Sequence, residues 1–253
     1  MKTIALISLG CAKNLVDSEV MLGSLKQAGY GFTSTPEEAD IVLINTCGFI
    51  QPARDEAENE IEKILRLKDK GPNPKKVIVT GCYVQKERER LKEHYPAVDA
   101  WLGVGDFGSI TAAVKEFPLP PSNRTFLYSH SSPRFVSTSP YWAYVKISEG
   151  CSHHCGFCTI PSIKGPYRSR SVSSIVKEVT RLVSLGIREL NLISQDSTFF
   201  GRDKGKRNGL ADLLQALLTQ TEAEWIRVLY GYPGEVTEPL LGVMFNPRIC
   251  PYF

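Results

Sequence analysis

Seven cysteines lie in this chain of 253 residues, and six of them fall into two sets of three. One set is compact: Cys151-Ser152-His153-His154-Cys155-Gly156-Phe157-Cys158. Three thiolates on one short loop can hold three irons of a 4Fe-4S cube and leave the fourth iron without a protein ligand. An iron left open in this way can bind and activate a small molecule. Zinc is the alternative, with His153 or His154 as the fourth ligand of a closed tetrahedral site. A structural zinc there would leave the other three cysteines unexplained.

The other set, Cys11, Cys47 and Cys82, is dispersed, yet each member ends an apolar run. The runs are Ile4-Ala5-Leu6-Ile7-Ser8-Leu9, Ile41-Val42-Leu43-Ile44 and Val77-Ile78-Val79. In a parallel sheet the carboxyl ends of all strands share one edge, and open α/β sheets bind their ligands there. Three thiols are therefore expected to converge on one crevice. Gly10, Gly48 and Gly81 beside them predict tight turns with room for a bulky group. A single cysteine at such a place can simply pack; three at equivalent strand ends point to metal. A catalytic thiol would need one cysteine and a base, and the N-terminal half offers only His94, at a helix end. Cys250 is expected to pack in the last apolar run.

The segments that must position these residues alternate in type. Up to Phe117, strand-like runs (Thr3–Leu9, Ile41–Asn45, Val77–Thr80, Val98–Val104) alternate with helix-like segments (Val16–Ala28, Pro52–Leu67, Gln85–His94, Phe107–Glu116). Such alternation predicts a doubly wound parallel sheet wrapped by helices. Prolines 118, 120, 121, 133 and 140 mark residues 118–139 as a linker between a first domain, 1–117, and a second, 140–253. In the second domain Trp142–Ser148, Glu189–Ser194 and Trp225–Tyr230 read as strands. Val172–Leu185, Leu210–Leu218 and Glu235–Met244 read as helices. Ile249–Phe253 is expected to begin a fourth strand, so the chain is expected to stop short of a finished domain.

Composition narrows the class. Apolar residues make up 42% and charged residues 23%, enough to bury a core, and a net charge of +3 carries no nucleic-acid signature by itself. No apolar run is long enough to span a bilayer, and the run after Met1-Lys2 reaches Gly10-Cys11 without a cleavage region. A cytoplasmic protein with reduced thiols is expected.

The strand before Cys151 and the aromatic residue before Cys158 make the CxxxCxxC segment resemble the radical S-adenosylmethionine superfamily. The two cysteine sets together resemble its methylthiotransferase family. Within it, Gly10-Cys11-Ala12-Lys13-Asn14-Leu15-Val16-Asp17-Ser18-Glu19, Asn45-Thr46-Cys47-Gly48-Phe49-Ile50 and Ser194-Gln195-Asp196-Ser197-Thr198 resemble the branch that modifies a ribosomal protein. The sister branch, acting on isopentenyl-adenosine in tRNA, shows Gln-Met-Asn after the first cysteine and Gln-Asn-Val in place of Gln195-Asp196-Ser197.

The resemblance implies β-methylthiolation of an aspartate in small-subunit ribosomal protein S-twelve. Two 4Fe-4S clusters are implied. Cys151, Cys155 and Cys158 would hold the one that binds S-adenosylmethionine and yields a deoxyadenosyl radical; Cys11, Cys47 and Cys82 would hold the one that presents or donates sulfur. A second S-adenosylmethionine would supply the methyl group, and Gln195, Asp196 and Ser197 would contact the cofactor. The small ribosomal subunit and a reducing donor such as flavodoxin or ferredoxin are the implied partners. The fold implied is an N-terminal α/β domain followed by a (βα) partial barrel, incomplete here, with about a third of the family's length absent at its end. Lys164, Arg168 and Arg170 form a basic stretch that could face an acidic substrate or remain a solvated loop. The alternatives are the tRNA reaction and an inactive metal-binding fragment.

Overall fold

The computed structural model describes residues 1–117 and 126–252. The chain forms two compact units: Met1–Phe126 with Ser132–Phe135 and His154–Lys164, and Leu127–Ser131 with Val136–His153 and Gly165–Phe253. Of the expected linker, residues 118–125 lie outside the described residues.

The first unit is built on five parallel strands: β1 (Thr3–Ser8), β2 (Gly31–Phe32), β3 (Ile41–Thr46), β4 (Lys76–Gly81) and β5 (Ala100–Leu102). Their order is β2-β1-β3-β4-β5. Central strands of a parallel sheet are buried on both faces, which is why Ile41–Ile44 of β3 and Val77–Val79 of β4 are unbroken apolar runs rather than alternating. Val42, Ile44, Val77 and Val79 pack on one face against Ala57, Ile61 and Ile64 of helix α2 (Gln51–Lys70) and Leu91 of α3 (Cys82–His94). Ile41, Leu43 and Ile78 pack on the other against Met21 and Leu25 of α1 (Ala12–Gln27) and Ile110 and Ala113 of α4 (Ile110–Val114). Helices thus cover both faces, and the sheet is doubly wound. The chain changes direction of winding between β1 and β3, the position at which such sheets open a crevice at the carboxyl edge.

α5 (Ile160–Lys164), directly after the cysteine loop, belongs to this unit, with Ile163 in the same core as Cys82. Its five residues carry too little periodicity to have been visible in the sequence.

In the second unit β6 (Trp142–Lys146), β9 (Glu189–Ile193) and β10 (Trp225–Val228) form a parallel sheet in the order β10-β9-β6. β7 (Ser148–Glu149) and β8 (Arg168–Ser169) form a separate antiparallel pair. Helices α6 (Val172–Ser184), α7 (Gly209–Gln220) and α8 (Glu238–Met244) supply the rest of the core against Ala143, Val145, Leu190, Leu192, Ile226 and Val228. The opposite sheet face mixes aromatic and polar side chains: Trp142 packs on Tyr144, and Glu189 Oε1 accepts from Asn191 Nδ2 and Arg227 Nε, each at 3.1 Å. The expected fourth strand is reduced to one parallel bridge, Ile226 with Ile249. Among the described residues no helix is long and apolar enough to cross a membrane.

Candidate functional site

Cys11 caps the amino end of α1 just past β1, Cys47 follows β3 without a gap, and Cys82 is the first residue of α3 after β4. Because β1, β3 and β4 are neighbours in the sheet, the three residues stand at adjacent strand ends around the switch point. All three are free thiols; Cys11 is exposed, Cys47 half-buried and Cys82 buried. The flanking glycines do a different job from the one their presence suggested. A Cβ on Gly10 (φ +88°) would stand 2.6 Å from Cys47 Cβ and 3.2 Å from its Sγ. One on Gly81 (φ +106°) would stand 2.4 Å from the Thr46 carbonyl oxygen. These glycines let neighbouring strand ends close on one another rather than leaving space for a large group.

Asn14 fastens the three ends together. Its Nδ2 donates to the carbonyls of Leu9 (3.1 Å) and Thr46 (3.0 Å), and its Oδ1 accepts from the Cys82 thiol at 3.6 Å. Asn45 Nδ2 in turn donates to the Asn14 carbonyl and to Ser18 Oγ, both at 2.9 Å. The signal for this network was present in the sequence: Asn14, Asp17 and Ser18 interrupt the apolar pattern of a helix that is buried nearly throughout.

Burial pushes the Cys82 thiol up to about 12 and raises that of Cys47 as well, since a thiolate is poorly solvated there. The buried ammonium of Lys164 acts in the opposite sense on both. Among the described residues no three His, Cys, Asp or Glu side chains close around a single ion. An all-thiol donor set from three separate strand ends fits the soft, thiolate-only ligation of an iron–sulfur cluster.

The second cysteine set begins where β7 turns. Gly150 (φ +77°) approaches the Pro166 carbonyl so closely that a Cβ would stand 2.2 Å from it, and the Cys151 N–H donates to the Gly165 carbonyl at 3.1 Å. Cys151 is buried and belongs to the second unit. Cys155, exposed, and Cys158, half-buried, belong to the first, where the Cys158 N–H donates to the Cys155 carbonyl at 3.0 Å.

His153, between them in sequence, is more than a loop side chain. Asp196 Oδ2 accepts from its Nε2 at 2.6 Å, and its ring stacks on Tyr232 with centroids 4.8 Å apart. Asp196 is 3% exposed. Its other oxygen accepts from the N–H of Thr198 at 2.9 Å and from the Thr198 hydroxyl, and Tyr167 Oη donates to its carbonyl at 2.9 Å. The Ser197 hydroxyl donates to the Leu229 carbonyl at 2.6 Å. The side chains of Asp196 and Ser197, both expected to meet a cofactor, also bond to the protein in this way. Gln195 is only partly buried.

Residues 3–103 match the model of a family described as Uncharacterized protein family UPF0004, and residues 145–240 that of the Radical SAM superfamily. Three curated relatives carry the same printed name, Ribosomal protein uS12 methylthiotransferase RimO. The one from Dictyoglomus thermophilum is 41% identical over 100% of this chain and 58% of its own length. Those from Solibacter usitatus and Desulfotalea psychrophila are each 46% identical, over 95% and 98% of this chain and 52% and 57% of their own lengths. By these matches the chain is similar to the radical S-adenosylmethionine methylthiotransferases. It spans between half and three-fifths of the length of these relatives. Among solved structures, the radical S-adenosylmethionine methyltransferase TsrM from Kitasatospora setae, with cobalamin and a 4Fe-4S cluster bound, superposes with a TM-score of 0.63 at 14% identity. It covers 98% of this chain and 60% of its own. That likeness concerns the fold alone.

Two members of the basic stretch, Lys164 and Arg170, are buried and paired rather than solvated. Arg170, 3% exposed, places Nη1 2.6 Å from Glu178 Oε2 and its guanidinium 4.2 Å from the centre of the Tyr128 ring. Lys164, 1% exposed, pairs with Asp17 at 3.1 Å. Lys146, wholly buried on β6, pairs with Glu149 at 2.7 Å just ahead of Gly150-Cys151. Spacing along a loop cannot reveal the Lys164–Asp17 pair, whose members are 147 residues apart in the sequence.

Proposed function

We propose that this chain is the cluster-bearing part of a methylthiotransferase that converts an aspartate of ribosomal protein S-twelve to its β-methylthio form. The observation that carries the reading is the convergence of Cys11, Cys47 and Cys82 at three adjacent strand ends, in a chain that also holds CxxxCxxC. The printed name of the relatives supports the substrate. The β-C–H bond of an aspartate is too weakly acidic for any positioned base near neutral pH. A cluster with S-adenosylmethionine bound supplies the one-electron chemistry that such a bond requires.

The chain's own residues have three tasks in this reading. Cys151, Cys155 and Cys158 hold one 4Fe-4S cluster with an open iron for the cofactor. Cys11, Cys47 and Cys82 hold a second one for sulfur insertion. Asn14 and the polar layer beneath it keep Cys11, Cys47 and Cys82 in register, and Gln195 is the member of the Gln195-Asp196-Ser197 turn whose side chain is available to the cofactor. Residues 1–117 and 140–253 act as the two domains for these tasks, in a cytoplasmic protein reduced by a flavodoxin- or ferredoxin-like donor.

Anaerobic reconstitution tests this. The chain should take up about eight irons, and replacing either cysteine set with alanine should leave about half. The full-length enzyme, reduced and given S-adenosylmethionine, should add a methylthio group to one aspartate of S-twelve and leave isopentenylated tRNA unchanged by mass spectrometry. Modified tRNA beside unmodified S-twelve would overturn the substrate.

A further inference from the structure

We propose that the buried Lys164–Asp17 ion pair sets the reduction potential of the cluster held by Cys11, Cys47 and Cys82, Lys164 raising it and Asp17 lowering it. This inference rests on the two-cluster reading above.

The geometry places a charged pair at the core that holds Cys82, inside one unit. Lys164 closes α5, and its Nζ lies 3.1 Å from Asp17 Oδ2 and 5.6 Å from the centre of the Phe107 ring. Both side chains are 1% exposed. Ile163, the preceding residue, shares a core with Cys82 and Phe107, and Asp17 lies on the helix that Cys11 caps. α5 packs against α3, whose first residue is Cys82, and Asp17 lies one turn along α1 from Asn14, whose Oδ1 accepts from the Cys82 thiol at 3.6 Å.

Charges buried in a medium of low polarisability act strongly on their neighbours. Adding an electron to a thiolate-ligated cluster makes an anionic centre more anionic, so a nearby cation stabilises the reduced state and a carboxylate opposes it. Local charge and solvent exclusion are the levers by which a protein moves such a potential. Ion pairs of this kind add little to stability against a hydrophobic replacement, so an electrostatic role accounts for the pair better than a purely structural one.

The test uses the full chain with Cys151, Cys155 and Cys158 replaced by alanine, reconstituted anaerobically, so that a single cluster is titrated potentiometrically by EPR. Lys164→Met should move the midpoint to more negative potential and Asp17→Asn to more positive. Lys164→Arg, and the double variant Lys164→Met with Asp17→Asn, should return it close to the starting value. A role in folding alone would move both single variants the same way and in step with their unfolding midpoints; that result, or no movement, overturns the inference. If Lys164→Met takes up no iron, Asp17→Asn and Lys164→Arg decide it, a positive shift in the first with none in the second being required. Failure of the alanine background to bind iron at all would remove the two-cluster reading and this inference with it, which distinguishes the two failures.

Discussion

The Cys82 thiol donates to Asn14 Oδ1 at 3.6 Å, while the amide nitrogen of the same side chain donates to the carbonyls of Leu9 and Thr46. One buried amide therefore touches all three strand ends that carry a cysteine of the first set. No other residue type fits this task. It needs two donors and an acceptor on a short planar group, and a carboxylate would turn lone pairs toward two carbonyl oxygens.

Asn14→Ala should leave those two carbonyls without their donor, at a cost of about 1–3 kcal/mol. Its unfolding midpoint in urea should fall, and it should retain less iron when the Cys151, Cys155 and Cys158 set is also replaced. Asn14→Asp, though isosteric, should do no better. Unchanged iron retention in both variants would show that Asn14 is a packing residue only.

Gly81 gives a sharper comparison, because the fold contains its own control. Gly81 and Gly29 both have positive φ, +106° and +87°, but a Cβ at Gly29 meets nothing within 4 Å, whereas one at Gly81 meets the Thr46 carbonyl oxygen at 2.4 Å. Gly29→Ala should cost only the backbone strain, roughly 1–2 kcal/mol. Gly81→Ala should cost clearly more, since the obstacle is main chain and β3 must move. Equal urea midpoints for the two variants would mean that the strand ends are not closed on each other.

These two glycines also mark what could be read without a fold. The central strands β3 and β4 were visible because burial on both faces demands apolar runs such as Ile41–Ile44 and Val77–Val79, and the gathering of Cys11, Cys47 and Cys82 at one sheet edge followed from parallel connectivity alone. β2, with two residues, was invisible, and the start of α3 at Cys82 rather than Gln85 was hidden because Cys82, Tyr83 and Val84 are buried in succession and show no helical period. What the chain brings close in space stayed hidden. That Gly10 makes room for Cys47, that Asn14 reaches Cys82, and that Lys164 meets Asp17 are facts of tertiary packing, and no local period encodes them.

Arg170 and Glu178 illustrate the cost of such hidden partners. Arg170→Met should strand Glu178 in the core beside Tyr128, whose hydroxyl donates to it at 3.2 Å, and breaking a buried pair from one side costs about 3–5 kcal/mol. Adding Glu178→Leu should recover much of the loss, because no charge is then left uncompensated. Thermal or urea unfolding of the three proteins checks this. A double variant as unstable as the single would point instead to the shape of the guanidinium on the Tyr128 ring.

His153 and Asp196 supply the last prediction, and it concerns the cofactor. Family resemblance assigns Asp196 to the amino-acid part of S-adenosylmethionine. Its carboxylate, however, is divided between His153 Nε2 and Thr198, and His153 is further held by its stack on Tyr232. Asp196 should therefore act through His153, fixing the start of the cysteine loop, rather than by touching the cofactor. Two residues that act as one unit give non-additive effects in a double-mutant cycle. His153→Phe keeps the ring but loses the hydrogen bond; Asp196→Asn keeps the shape but loses the charge. Each should weaken S-adenosylmethionine binding to the reconstituted protein, measured by equilibrium dialysis, and the double variant should be no weaker than the worse single. Gln195→Ala, at the available side chain, should add its loss to theirs. A strictly additive His153→Phe and Asp196→Asn pair would return Asp196 to direct cofactor contact.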